Sequence, residues 1–377
     1  MNILTKSALL EALHIRDLTH PEEGEHAIQH LLQEVQHALK AIWGCKLHVY
    51  RHSPIVSTAD NYNRLRYPAD GPARSAKYTR YVCDQALLRT STTAMVPLGL
   101  KAIEKQLQGE DLLVCPGLVY RRDSIDRLHL GAIHQVDLWR ITAKKLGTPD
   151  LREMIQRVVE TLLPGKTYRV EERVHPYTLH GLQIDVRYQE EWIEVGECGL
   201  AHPDILQENL KDGVAYTGLA MGLGLDRILM LRKGMKDVRL VASPHPKIAG
   251  QMLNLDPYQE VSLMPAIQRD LSLVVAEAMD VETLGDQVRE ALGTEASLIE
   301  RVEILSEHAY EDLPEKVHQK LGMAPGQKNT LLRIVLQALD RSLTDVEANQ
   351  YRNRIYAALH QGTKWEWANG GESRNSV

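Results

Sequence analysis

The chain has 377 residues, enough for two or three domains with a core each. Its hydrophobic share of 44% and charged share of 25% are ordinary for a soluble globular protein, and no run of eighteen apolar residues offers a membrane span. The formal net charge of −6 excludes a bulk positive field for nucleic acid: residues 262–377 carry 12 basic and 18 acidic groups (12 − 18 = −6), and the rest carries 32 of each, so any contact with RNA needs local patches.

The N-terminus, MNILTKSALLEALHIRDLTH, is broken by charge too early for a secretory signal. Over residues 25–42 apolar side chains recur at helical spacing (Ile28, Leu31, Leu32, Val35, Leu39, Ile42), which predicts an amphipathic helix. KLHVYRHSPIV reads as extended, with Pro54 at a strand edge or end. LLVCPGLVYRR and GAIHQVDLWRI read as two strands joined by a polar loop, and DLREMIQRVVETLL as a helix between Pro149 and Pro164. LQIDVRY and EWIEVGECG alternate as antiparallel strands, and GLAMGLGLDRILMLRKG runs from strand into helix. The pattern is α+β, an antiparallel sheet flanked by helices. Residues 243–262, rich in Pro and polar groups, read as a linker. Strand DLSLVV, helix VETLGDQVREAL, strand LIERVEIL, a polar loop, strand TLLRIVLQAL, helix DVEANQYRNRIYAALH and a last strand TKWEW follow, a ferredoxin-like βαββαβ unit. The tail 370–377 reads as disordered. The resulting division is 1–245, a linker 246–261, a second domain 262–361, and 362–377 as last strand and tail. Four well-separated cysteines without a CxxC pair argue against structural zinc or a disulfide framework and point to a reducing cytosol.

Three segments carry candidate chemistry. In VYRRDSIDRLHLGAIHQVDLWRI (119–141) an arginine opens a loop between two strands, and a fixed guanidinium suits a phosphate or carboxylate. Gln135 and Asp137, two apart on the returning strand, share a face and could hold an ammonium group together. In GLAMGLGLDRI (218–228) the glycines form neither GxGxxG nor a P-loop, but they let a backbone approach a planar ligand, and Arg227 could reach a phosphate. In WIEVGECG (192–199) Glu194 sits mid-strand, where a buried charge wants a partner or metal. Taken singly, each also reads as ordinary structure: a charged surface loop, a packed glycine strand with Asp226 and Arg227 exposed, and an edge-strand glutamate.

Together these segments resemble the signature motifs of class II aminoacyl-tRNA synthetases, and specifically phenylalanine–tRNA ligase. VYRRD…H…HQVD is similar to that family's motif 2 (VYRxD…H…FHQxE), and GLAMGLGLDRI to its motif 3 (GFAxGLGLERL). LLRTSTTAMVP (87–97) resembles LLRTxTS, NYNRLRYPADGPARS (61–75) resembles NFDALNxPxxHPAR, and WIEVGECGLAHPDIL resembles WLEVxGCGMVHPxVL. MPAIQRDLSLVV…ALDRSLTDVEAN resembles the ferredoxin-fold anticodon-binding domain.

The resemblance implies ATP-dependent activation of an aromatic amino acid and its transfer to tRNA(Phe), with ATP and Mg²⁺ as cofactors, by a cytoplasmic monomer. It implies that Arg121 contacts the α-phosphate and the amino-acid carboxylate, that Asp123, His129 and Ile133 help hold ATP, and that Arg227 clamps its far end. Glu194 would be the acid for nucleotide or metal. Ser91 and Thr93 would lie near the carboxylate, Gln135 and Asp137 would bind the amino group, and His175, Tyr177, Ala220 and Met221 would line the side-chain pocket. A paralogue serving another acceptor, or a sensor of amino acid or tRNA, are the alternative readings.

The chain contains no phenylalanine, an absence expected by chance on the order of once in a million such compositions. Positions usually Phe in the family hold Ile133, His175, Tyr177, Leu219 and Met221, and the HQxE acid is shortened to Asp137. A general purge of Phe accounts for losses outside the pocket as well as inside it. Such an enzyme could be made while phenylalanine is scarce.

Overall fold

The amphipathic helix forms at Ala27–Trp43 (α1), burying Ile28, Leu31, Leu32, Val35 and Leu39, and ends where Gly44 takes a left-handed conformation at φ 61°. The computed structural model describes residues 3–122, 124, 126–261, 265–339 and 341–365. Asp123 and the tail from 366 onward lie outside the described residues. Residues 1–122 and 130–261 form one unit; residues 123–129 and 262–377 form the other.

In the first unit the extended segment around Pro54 splits. Lys46–Val49 (β1) joins the large sheet, while Ile55–Ser57 (β2) pairs with Ala86–Leu88 (β4), which also pairs with Tyr81–Cys83 (β3). A helix follows at Val96–Ile103 (α2). The polar-loop hairpin is Glu110–Tyr120 (β5) with Ala132–Thr142 (β6), and the next helix is Thr148–Leu162 (α3), where the Asp150 carboxylate accepts from the Gly147 amide at 2.8 Å. Tyr168–Glu172 (β7), Thr178–Tyr188 (β8), Glu191–Ala201 (β9), helix Pro203–Asn209 (α4), Thr217–Gly224 (β10) and helix Leu225–Lys233 (α5) complete the order. The seven strands run β1-β5-β6-β10-β9-β8-β7, and only β1 with β5 is parallel.

Part of the segment 243–262, read as a linker, is folded into turns. Pro246–Ala249 is a helical turn and Gly250–Leu253 a 3-10 turn, with Ile248 and Met252 buried. The buried ammonium of Lys233 donates to the carbonyls of Asn254 (3.0 Å) and Asp256 (2.5 Å), fastening the segment to the first unit.

The second unit orders Ile267–Ala276 (β11), Val281–Leu292 (α6), Ile299–Ala309 (β12), Glu315–Leu321 (α7), Gln327–Leu336 (β13) and Asp345–Leu359 (α8). Its antiparallel sheet runs β11-β13-β12, and its core joins the apolar faces of α6 and α8 to one sheet face. Helix α7 occupies what reads as a polar loop in sequence. It is short and mostly exposed, with Val317 and Leu321 packing beside Val274 in a satellite cluster, so it lacks a long apolar stripe. After α8 the Gln361 amide donates to the Val274 carbonyl (2.8 Å), bringing the chain alongside β11, the edge where a fourth ferredoxin-like strand belongs. The expected strand TKWEW itself lies partly outside the described residues.

Candidate active site

Strand β10 sits at the centre of the large sheet between β6 and β9, and on one face it carries almost no side chains. Its register pairs Gly224 with Gln135, Gly222 with Asp137 and Glu197, and Ala220 with Trp139 and Gly199. Residues paired across antiparallel strands share a face, so Gly224, Gly222 and Ala220 form the floor of a trough. Ile133, Gln135, Asp137 and Trp139 line one side. Glu197 and Glu194 line the other, although three residues apart, because a bulge in β9 lets Gly196 pair with Ile184 and Glu194 with the next residue, Asp185. Met221, one residue out of phase, pairs with Leu138 and Cys198 and turns to the opposite face, away from Ala220. It was expected in the pocket beside Ala220, and strand alternation forbids both.

The two acids at the middle of the trough differ in environment. Asp137 is 2% exposed; Thr92 Oγ1 (2.7 Å) and Thr93 Oγ1 (3.1 Å) donate to its Oδ2, and Trp139 Nε1 (3.1 Å) to its Oδ1. Burial outweighs these donors and raises its pKa to about 6, with the Glu197 charge adding to the rise. The folded chain therefore holds this proton where the unfolded chain, at 3.8, has lost it. The stabilisation is fully present below about pH 4 and is lost as pH rises through about 6, on the order of 3 kcal/mol in all. Asp137→Asn is expected to remove this slope. Melting temperatures at pH 5 and pH 7 should draw closer together in the variant than in the parent, and an unchanged gap would contradict the assignment.

Glu197 lies 2.9 Å from His175 Nε2. Burial pushes its carboxyl up, but the His175 contact and the charges of Arg121 and Arg173 prevail and hold it below the usual range. Glu194 is the reverse: burial and the Glu197 charge raise it, against Arg227, Arg121 and Arg173.

Arg121 leaves the end of β5, where its amide donates to the Gly131 carbonyl, and its Nε is fixed on the Thr90 carbonyl at 2.7 Å. Among the described residues its Nη groups make no hydrogen bond, so the fork is anchored at one side and available at the other. Arg227 sits in the first turn of α5 and donates from Nη1 to the Glu194 carbonyl at 3.2 Å. The turn is pinned by Asp226, which is buried rather than exposed. Its carboxylate accepts from the His134 amide (2.5 Å) and from His134 Nδ1 (2.9 Å), while the Leu18 amide donates to Nε2. The contact with Asp226 places a proton on Nδ1 of His134, on the face opposite Gln135.

The Ala220 end is aromatic. Tyr177 is buried against Trp139 (ring centroids 6.4 Å), Tyr67 (6.3 Å) and His175 (5.5 Å), and burial drives its phenol well above the ordinary value. Ser91 opens the turn Thr92–Met95 and is half-buried; its neighbours Thr92 and Thr93 are the ones that reach Asp137. His129 lies in the 123–129 segment, which belongs to the second unit, and its Nδ1 bonds Asp126 at 2.7 Å. Val174, the residue before His175, is 95% exposed and lies outside the pocket lining. Four residues of the trough do not stand out in the sequence: Thr92, Trp139, Tyr67 and Glu197. Trp139 shares the i, i+2 phase of Gln135 and Asp137 and is readable on that ground; Glu197 is hidden by the bulge.

Comparison with known proteins follows the same division. The family described as tRNA synthetases class II core domain (F) matches residues 13–252, and the ferredoxin-fold anticodon binding domain matches residues 262–367. A phenylalanine–tRNA ligase of Arabidopsis thaliana, described as chloroplastic/mitochondrial, is 27% identical over 321 residues, 80% of this chain and 68% of that protein. The phenylalanine–tRNA ligase alpha subunit of Oenococcus oeni is 31% identical over 238 residues, 59% of this chain and 67% of that one. The alpha subunit from Prochlorococcus marinus is 34% identical over 179 residues, 48% of this chain and 52% of that one. Among solved structures, a pyrrolysyl tRNA synthetase of Desulfitobacterium hafniense aligns with a TM-score of 0.44 at 17% identity, covering 62% of this chain and 79% of that one.

Proposed function

The chain belongs to the family of class II tRNA synthetase core domains, and we propose that it activates phenylalanine, or a closely related aromatic amino acid, with ATP and transfers it to tRNA(Phe). The observation that carries this reading is the graded trough: an aromatic end at Trp139, Tyr177 and Ala220, acids at its middle, and Arg121, Glu194 and Arg227 at the other end. An aromatic amino acid laid along β10 puts its ring on Ala220 and its carboxylate toward Arg121. ATP then occupies the Gly224 end, with Ile133 and Gln135 on the same sheet face.

The carboxylate oxygen attacks the α-phosphorus, the bond to the bridging oxygen breaks, and pyrophosphate leaves. Arg121, fixed on Thr90, bridges nucleophile and α-phosphate and offsets the charge that builds there; Arg227 holds the distal phosphates. The ribose hydroxyl at the tRNA 3′ end then attacks the carbonyl carbon and AMP departs. Glu194, pressed toward neutrality by burial and by Glu197, is an acid that a cation would relieve. Mg²⁺ suits it because that ion takes one or two carboxylates and completes its shell from phosphates and water; when bound it would offset triphosphate charge. Asp123 and His129 retain their proposed part in holding ATP. The ferredoxin-fold unit is the proposed tRNA partner site. The reading includes a monomer in the cytoplasm, in keeping with the four free cysteines.

Amino-acid-dependent pyrophosphate exchange across the aromatic amino acids, followed by charging of total tRNA, tests the reading. Exchange with phenylalanine or a ring-substituted relative, and charging of tRNA(Phe), are expected. Absence of exchange with every aromatic amino acid would refute it.

A further inference from the structure

Glu197 stands where the family's WLEVxGCG pattern, laid over WIEVGECG, has glycine, and its partner His175 stands where the family has phenylalanine. The shortened acid Asp137 is on the opposite wall, one glycine away. With one methylene fewer than glutamate, Asp137 is drawn back toward the sheet, where three donors from Thr92, Thr93 and Trp139 hold it at 2% exposure. Glu197 keeps 30% of its side chain exposed. His175 Nε2 stands 2.9 Å from its Oε2 without hydrogen-bond alignment, and its Oε1 lies 3.8 Å from Arg173 Nε, too far for a hydrogen bond. Gly222 separates the two acids, so their Cα atoms stand about 10 Å apart across two strand spacings. That level lies between the aromatic floor at Ala220 and the arginine end at Gly224. In an amino acid lying along the strand it is the level of the α-carbon.

We propose that Glu197, positioned by His175, is the carboxylate that binds the α-ammonium group of the amino-acid substrate, the anchoring role having passed to it from Asp137. The assignment rests on the amino-acid-activation reading. It explains why an acid replaces glycine on the wall of a binding trough, where an unneeded charge is costly. It also explains why Asp137 can commit three of its roughly four acceptor sites to the protein. The ammonium then sits between Glu197 Oε1 and the side chain of Gln135, on the two walls flanking Gly222 and Gly224.

The test compares two probes on the full chain by calorimetry: L-phenylalaninol, which carries the ammonium, and 3-phenylpropan-1-ol, which lacks it. The parent is expected to prefer phenylalaninol by about 30-fold or more, the weight of a charge-assisted contact in a partly dry site. Glu197→Gln should reduce that preference to about three-fold or less, and Asp137→Asn should leave most of it. The ratio is internal to each variant, so partial unfolding lowers both affinities together and does not mimic the result. An unchanged ratio in Glu197→Gln, an equal loss for both probes, or collapse of the ratio in Asp137→Asn instead would each overturn the assignment. A parent that binds neither probe nor phenylalanine itself, titrated as a third ligand, would refute amino-acid binding, and is thereby distinct from a parent that binds them while Glu197→Gln keeps its preference.

Discussion

Arg121→Ala is expected to lower kcat/KM for pyrophosphate exchange by about 10²- to 10³-fold, the cost of removing one fixed charge donor from a developing phosphorane. The expectation follows from how the side chain is held. Its Nε bond to the Thr90 carbonyl sets the plane of the guanidinium, while the Nη groups bond to nothing among the described residues. A group prepared in this way loses little freedom when it meets substrate. Arg121→Lys keeps the charge but not the fork, so it should recover only a minor part of the rate. The fall should appear mainly in kcat. A fall confined to the KM for amino acid would make Arg121 a ground-state anchor and contradict the mechanism. The fold should tolerate the change, since the carbonyl of Thr90 is the one hydrogen-bond partner of this side chain among the described residues.

Gly222→Val carries the second large effect. A Cβ at Gly222 would meet Asp137 Oδ2 at 3.7 Å, ordinary van der Waals contact, so the backbone can accept a side chain there. The trough cannot, because two further methyl carbons would stand on its floor between Asp137 and Glu197. Amino-acid affinity should fall about 100-fold or more while the melting temperature moves by only a few degrees. Gly196 is the contrast. A Cβ there would lie 2.5 Å from the Gly222 carbonyl oxygen, so Gly196→Val should damage stability first. A Gly222 variant that binds amino acid normally would show that the substrate does not lie on β10.

Much of this arrangement is legible in the amino-acid sequence. The helix α1, the hairpin β5–β6 and the passage of the glycine segment from strand into helix follow from periodicity and turn chemistry. The shared face of Gln135 and Asp137 follows from the two-residue repeat of a strand. The same repeat sets Met221 apart from Ala220, although the motif places the two side by side. Other features depend on information that a local stretch of sequence does not carry. The bulge in β9 shifts the alternation by one residue, so Glu194 and Glu197 look opposed in sequence and stand together in the fold. The turns at 246–253 look like linker because their composition is polar; burial of Ile248 and Met252 comes from tertiary contact, not from a repeating stripe. The burial of Asp137 depends on Thr92, Thr93 and Trp139 converging from separate elements.

The near-absence of side chains on one face of β10 bears on how this protein can change over time. At Gly224 and Gly222 the floor offers mutation only larger residues, and enlargement blocks the ligand instead of reshaping its fit; Ala220→Gly is the one reduction open to it. Innovation in substrate choice is thereby directed mainly to the walls, where a substitution alters polarity or width and leaves the seat intact. His175, Tyr177 and Glu197 are all wall positions, and all three depart from the family pattern. A lineage exploring new amino acids on this scaffold, or a laboratory library built for that end, would vary the two banks and keep the bed fixed.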